Sequence, residues 1–201
     1  MLIYFNGLML GLSLIAALGP QNIFLIKQGA RRKHALLSAI ICFGCDTILA
    51  FASVAGLHHV LKMHPSLQIW LTYFGVVFLL FYGLKAFRQA FITKANAKTA
   101  EQKNSSRWQI VILALGFSLL NPHAIIDSLI IIGSGSSQFP NNPQAYLFGV
   151  ITASFLWFSS LTLTTHYFAE TLARVTVWRR IEFFSGLLMV FLSLKLALTL
   201  F

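Results

Sequence analysis

The chain has 201 residues, of which 57% are hydrophobic and only 10% are charged, and its mean hydropathy is +0.77. So few charged side chains cannot coat a soluble globule, which excludes the soluble protein classes. The formal charge of +10 is not that of a nucleic-acid-binding surface, because the basic residues lie between apolar segments and no such motif accompanies them. The composition therefore predicts an integral membrane protein.

The first predicted membrane span contains a helix break at Gly19-Pro20, which two amides, Gln21 and Asn22, follow at once. Proline removes one backbone hydrogen bond from a helix and frees the carbonyl one turn earlier, here that of Ala16. At membrane depth, a freed carbonyl is tolerated only where it packs against protein or lines a wet cavity. The break therefore predicts a polar site inside the membrane.

A second break, Asn121-Pro122, lies in the fourth predicted span and frees the carbonyl of Ser118. Both breaks match a helix restart, in which an N-cap residue precedes a proline at the first helical position. A restarted helix presents free N–H groups and a partial positive charge that can hold a carboxylate, whereas the freed carbonyls suit an ammonium group. The alternative interpretation is a pair of proline kinks that only shape packing. Two breaks favour one shared site.

The apolar segments predict an all-α integral membrane protein with six transmembrane helices. These spans cover residues 2–26, 35–57, 67–87, 108–132, 145–166 and 181–200. Residues 73–85 resemble residues 183–195, which predicts two inverted three-helix repeats with broken helices 1 and 4. Residues 1–93 form the first repeat, residues 94–107 a basic cytoplasmic linker and residues 108–201 the second repeat.

The basic residues predict the orientation of the chain. In the six-span arrangement, all lysine and arginine residues except Lys62 and Lys195 fall on one side of the membrane. The positive-inside rule places that side in the cytoplasm and both termini outside. A five-span arrangement, with one weak segment in the interface, is the alternative and would move one terminus to the other side.

Two acids, Asp46 and Asp127, lie within the predicted spans, and Glu182 stands at the start of the last one. A carboxylate at mid-membrane costs roughly 3 kcal/mol on insertion scales, so such a residue marks a functional site. Recognition of a cationic substrate, proton exchange, or both would use these two aspartates. The alternative is a structural ion pair, for instance with Lys195.

The cysteines and histidines carry weaker signals. Cys42 and Cys45 have a redox spacing, but cysteine inside a membrane helix usually packs as a small residue. The cluster of His58, His59 and His64 lacks a carboxylate or thiolate companion for a metal site. His123, next to the second break, is the histidine that we expect at the site.

Four segments give the chain a resemblance to the lysine exporter family. They are residues 11–22 with Gly19-Pro20-Gln21-Asn22, Lys27-Gln28-Gly29 before Arg31-Arg32, Cys45-Asp46-Thr47 leading to residues 54–56, and residues 120–124 followed by Asp127 and Gly133. The resemblance covers the whole chain and is strongest to the lysine and arginine exporters. The departure from the family pattern is the long polar linker before Arg107.

The resemblance implies a secondary transporter, not an enzyme, which exports L-lysine, L-arginine or both across a bacterial inner membrane. The energy source would be the proton gradient or the membrane potential, and the sequence contains no nucleotide-binding loop. We expect no cofactor, metal or nucleic acid; the partners are a basic amino acid, membrane lipids and, as a candidate, a second copy of the chain. The expected substrate-binding residues are Gln21, Asn22, Asp46, Asn121, His123 and Asp127, with Gly19, Pro20 and Pro122 forming the breaks.

Three other functions stay open at this point. An exporter of neutral amino acids of the homoserine and threonine type would differ mainly in how the pocket treats the substrate side chain. A metal-ion exporter would use the histidines and cysteines. A membrane thiol oxidoreductase would need a cysteine in each half, whereas both cysteines lie in the second span.

Overall fold

The computed structural model describes residues 1–16, 19–32, 34–56, 65–92, 106–120, 122–172 and 174–198. The described residues form helices and connecting turns without a strand, which confirms the all-α prediction. The helices are α1 (Leu2–Ile15), α2 (Pro20–Ala30), α3 (Ala35–Val54), α4 (Pro65–Ile92), α5 (Arg107–Leu119), α6 (Pro122–Ser137), α7 (Pro143–Tyr167), α8 (Ala169–Leu172) and α9 (Val175–Leu198).

Four of these helices, α3, α4, α7 and α9, are long and apolar enough to cross a membrane. The pair α1 and α2 gives a fifth candidate span, bent by 78° at the break. Helix α5 is apolar but shorter. The described part of the chain is thus that of a membrane protein with four or five candidate spans, and the sixth span stays a prediction.

The break in the first span has the predicted form of a helix restart. Gly19 is the N-cap of α2 in an extended conformation (φ −101°, ψ 176°), and Pro20 occupies the first turn, where its missing N–H costs nothing. Helix α6 likewise begins at Pro122. Helix α2 continues to Ala30, beyond the predicted end of the span at residue 26, so Lys27 is helical.

The main helix contacts join the two halves of the chain. Helix α1 packs along α7, α3 packs on α5, α6 and α7, and α4 packs along α9. Small residues permit the first contact: a Cβ on Gly7 would collide with the Tyr146 carbonyl, and one on Gly149 would collide with the Tyr4 carbonyl. Such close backbone approach is typical of membrane helix pairs.

Several basic ends of helices meet at one end of the bundle. The Arg31 guanidinium lies 5.2 Å from the ring centre of Trp178, and Arg179 Nε donates to the Ala90 carbonyl at 2.9 Å. The C-terminal ends of α2 and α4 therefore adjoin the N-terminal end of α9. Helix α9 begins at Val175, before the predicted start at residue 181, and so includes Arg179 and Arg180. Both can be part of an apolar helix because an arginine stem can lie along apolar surface while its charged head stays in water.

Candidate functional site

A cavity of about 330 Å³ lies at the break between α1 and α2. Residues from both halves of the chain line it, contributed by α1, α2, α3, α5, α6, α7 and α9. The volume is at the lower end of the range for small-molecule sites, about 300–1,000 Å³. The charged and polar lining side chains are Gln21, Asn22, Asp46, Ser118, Ser128, Ser154 and Lys195.

Asp46 and Gln21 form the centre of this site. Asp46 lies near the middle of α3, and its Oδ1 accepts a hydrogen bond from Gln21 Nε2 at 3.2 Å. The same Gln21 nitrogen donates to Ser118 Oγ at 3.2 Å. Because Ser118 lies close before the second break, Gln21 joins the surroundings of both breaks, as the prediction of one shared site requires.

The Asp46 carboxylate is not neutralised by a lysine or arginine of the described residues. Their ion pairs are Lys27 with Glu182 and Arg32 with Glu170. Lys195 lines the same cavity as Asp46 but does not form an ion pair with it. The structural pairing with Lys195, considered from the sequence, is therefore absent from this conformation.

Asn22 holds the break together. Its Nδ2 donates to the Ile15 carbonyl at 2.8 Å, and its Oδ1 accepts from Trp157 Nε1 at 3.1 Å. Helix α1 already ends at Ile15, so the carbonyl that Asn22 satisfies lies one residue before Ala16, the predicted position. Asn22 is 4% exposed, and both ends of its amide stabilise the local structure.

The predicted residues of the second break are only partly placed. Asn121 lies outside the described residues, as do the side chains of His123 and Asp127, whose backbone belongs to α6. Helix α6 does border the cavity, through Ile125, Ser128 and Ile132. The roles of these three predicted site residues stay predictions.

Sequence reasoning missed a buried ion pair between Lys27 and Glu182. The Lys27 amine lies 2.7 Å from Glu182 Oε2, and the Glu182 side chain is 1% exposed. The first predicted span ends at residue 26, which leaves Lys27 in the cytoplasmic loop, and the sequence assigns no role to Glu182. The usable signal was that a carboxylate at the start of an apolar span needs a cationic partner when it is buried.

Cys42 and Cys45 are free and buried, and Cys42 Sγ accepts a hydrogen bond from Ser118 Oγ at 3.7 Å. In the part of the chain that the structure describes, no three histidine, cysteine, aspartate or glutamate residues form a group that could hold a metal ion. The His58, His59 and His64 cluster lies outside the described residues.

The sequence was compared with protein families and with known proteins. The family model described as LysE type translocator matches residues 12–200. The arginine exporter protein ArgO of Escherichia coli (strain K12) and that of Klebsiella pneumoniae (strain 342) are each 37% identical over 195 residues. ArgO of Salmonella enteritidis PT4 (strain P125109) is 36% identical over 195 residues. Each alignment covers 96% of this chain and 92% of the relative.

No solved structure matches the chain. The family match spans both halves, including both helix breaks and the cavity between them. A translocator is a transport protein rather than an enzyme, and the candidate membrane spans agree with that class. The chain belongs to the LysE type translocator family.

Proposed function

We propose that this protein exports basic amino acids, L-arginine first and also L-lysine, from the bacterial cytoplasm across the inner membrane. The observation that carries the proposal is Asp46, a carboxylate that lines the cavity and has no lysine or arginine partner among the described residues. The positive charge of a transported cation would neutralise the Asp46 carboxylate. The curated relatives, which are named as arginine exporters, support this substrate class.

The two ends of an amino-acid substrate match two parts of the cavity. The cationic side chain would bind Asp46, which Gln21 orients through its Nε2. The first intrahelical bond of α2 runs from the Ile23 N–H to the Gly19 carbonyl, so the N–H group of Gln21 precedes it. This donor and the partial positive charge of the helix start suit the substrate carboxylate. Asp127, Asn121 and His123 of the second break would complete the site.

The helix contacts support alternating access by two inverted three-helix repeats, residues 1–93 and 108–201. In this arrangement α5 and α6 correspond to α1 and α2, α7 corresponds to α3, and α9 corresponds to α4. The contacts follow this correspondence: α1 and α2 pack on α7, α5 and α6 pack on α3, and α4 packs on α9. On this basis α5 and α6 form the fourth, broken span. The repeats would rock against each other around the cavity, which both halves line.

A charge argument favours proton exchange as the energy source. Export of a cation against an inside-negative potential costs about 2.3 kcal/mol per elementary charge per 100 mV. A proton carried inward by Asp46 after substrate release would cancel that charge movement. The proposed cycle therefore exchanges one basic amino acid for at least one proton.

Efflux of labelled arginine, lysine and threonine from preloaded cells tests the function. Wild type, Asp46→Asn and Asp127→Asn are compared at matched membrane abundance, with Glu170→Gln as the control because the Glu170 side chain is 89% exposed. We expect wild type and the control to export arginine and lysine, and both aspartate variants to lose this export. Export of threonine but not of arginine or lysine by the wild type would establish a neutral amino-acid exporter instead.

A further inference from the structure

The buried ion pair of Lys27 and Glu182 has no part in the function proposed above. Lys27 Nζ lies 2.7 Å from Glu182 Oε2 and donates to Ser185 Oγ at 3.0 Å. The Glu182 side chain is 1% exposed, so its carboxylate is almost fully removed from solvent. The pair joins α2, the restarted half of the first span, to α9.

One oxygen of this carboxylate is left over. Glu182 Oε1 is buried and accepts no hydrogen bond from any described residue. An ammonium group is a compact donor, whereas a guanidinium presents its N–H groups in a planar fork that can bind both oxygens of a carboxylate at once. Lys27 therefore binds only one of the two carboxylate oxygens of Glu182. A guanidinium, which can bind both oxygens, suits this carboxylate better.

The seam between α2 and α9 adjoins both this ion pair and the cavity. A groove of about 760 Å³ lies along the seam and is lined mainly by apolar side chains, among them Ile23 of α2 and Leu188 of α9, together with Ser185. Ser185 is the residue that binds the Lys27 amine, and Leu188 also lines the cavity. The same two helices thus border the ion pair and the cavity.

We propose that Glu182 is a second cation-binding carboxylate of this transporter, at which the side chain of a transported arginine replaces Lys27 on its way between the cytoplasm and Asp46. This inference rests on the proposed export of basic amino acids. Lys27 is chemically a tethered copy of a lysine substrate. One cation therefore leaves Glu182 as another arrives, and the buried carboxylate never stands uncompensated. Because arginine can engage both oxygens and lysine only one, Glu182 favours arginine over lysine.

Transport by the purified full-length protein in liposomes tests this role. Counterflow of labelled arginine and of labelled lysine is measured for wild type, E182Q and the double variant K27Q/E182Q. The double variant replaces the ion pair by two neutral amides, so it folds without a lone buried charge. E170Q is the matched control, since Glu170 pairs with Arg32 at 3.7 Å through exposed side chains.

We expect E182Q and K27Q/E182Q to reduce the preference for arginine over lysine by about tenfold, the factor that one hydrogen bond to a charged group supplies. E170Q should keep the wild-type preference. If K27Q/E182Q transports both amino acids with the wild-type preference, Glu182 has only a structural role and the inference is wrong. A wild type that moves neither amino acid would instead refute the proposed function on which the inference rests.

A second measurement needs no variant. Acetic anhydride acetylates accessible lysine amines, and the side chain of Lys27 is 16% exposed in the paired state. Saturating arginine should increase acetylation of Lys27, measured by peptide mass spectrometry, because the amine is displaced from Glu182. Alanine should leave it unchanged. Arginine transport without any change in Lys27 acetylation would contradict the exchange of cations at Glu182.

Discussion

The indole nitrogen of Trp157 donates a 3.1 Å hydrogen bond to the side-chain oxygen of Asn22. The other end of the same amide donates to the Ile15 carbonyl at the end of α1. Helix α7 of the second half therefore fixes the point at which the first span breaks. The break is held by named side chains, and its orientation depends on contacts between the two halves.

Trp157→Phe should lower the stability of the protein more than its transport activity. The substitution keeps an aromatic ring but leaves the buried oxygen of Asn22 without this donor, at a cost of about 1–3 kcal/mol. For a chain of this size, each 1 kcal/mol lowers the midpoint of thermal unfolding by about 2–4 °C. Unfolding of the detergent-solubilised protein is the measurement. Trp108→Phe is the control. Because Trp108 is 75% exposed, this substitution should leave the midpoint unchanged.

Gln21→Leu should weaken arginine binding by about tenfold or more, since it removes the donor to the Asp46 carboxylate as well as the bond to Ser118. Ser118→Ala removes only the second bond and should have a smaller effect. The arginine concentration that gives half-maximal efflux measures both. An equal effect of the two substitutions would show that Gln21 acts through Ser118 and that its contact with Asp46 is dispensable.

Gly149→Ala should prevent normal packing of α7 on α1, because the added Cβ meets the Tyr4 carbonyl oxygen, a backbone atom that cannot move aside. Gly44→Ala is the matched control within a helix, since a Cβ there finds no neighbouring atom within 4 Å. The control should be neutral or stabilising, because alanine favours a helix by about 1 kcal/mol over glycine. Membrane abundance of the full-length protein measures both. Equal abundance of the two variants would contradict the tight contact at Gly149.

Replacing Cys42 and Cys45 by alanine should leave arginine efflux within about twofold of wild type, since both thiols are free and act as small packing residues. The measurement is labelled-arginine efflux together with growth in cadmium and zinc. Loss of efflux along with loss of metal tolerance would favour the metal-ion exporter considered from the sequence.

Local sequence signals predicted the features that depend on one segment. The Gly19-Pro20 break was recognisable because proline cannot continue a membrane helix, and Asp46 was recognisable as a charge within an apolar segment. The structure confirms the restart and places Asp46 in the cavity beside Gln21. The family resemblance was confirmed by the comparisons.

Pairings between distant segments could not be predicted. Gln21 and Ser118 are 97 positions apart, and Lys27 and Glu182 are 155 positions apart, so nothing in the local pattern relates them. The sequence also suggested that Asn22 binds substrate; its side-chain amide binds the Ile15 carbonyl and Trp157 in this structure, and a contact of Asn22 with substrate stays a prediction. Hydropathy alone cannot tell a polar side chain that binds a ligand from one that satisfies the backbone.

The pattern of helix contacts has a consequence for synthesis of the protein. The most extensive packing joins α1 with α7 and α4 with α9, so the helices of the first half find their main partners only after the second half has been translated. Until then, the small-residue face of α1 and the Asn22 amide lack those partners. The nascent first half must therefore remain in the membrane without its main helix partners until the second half has been inserted.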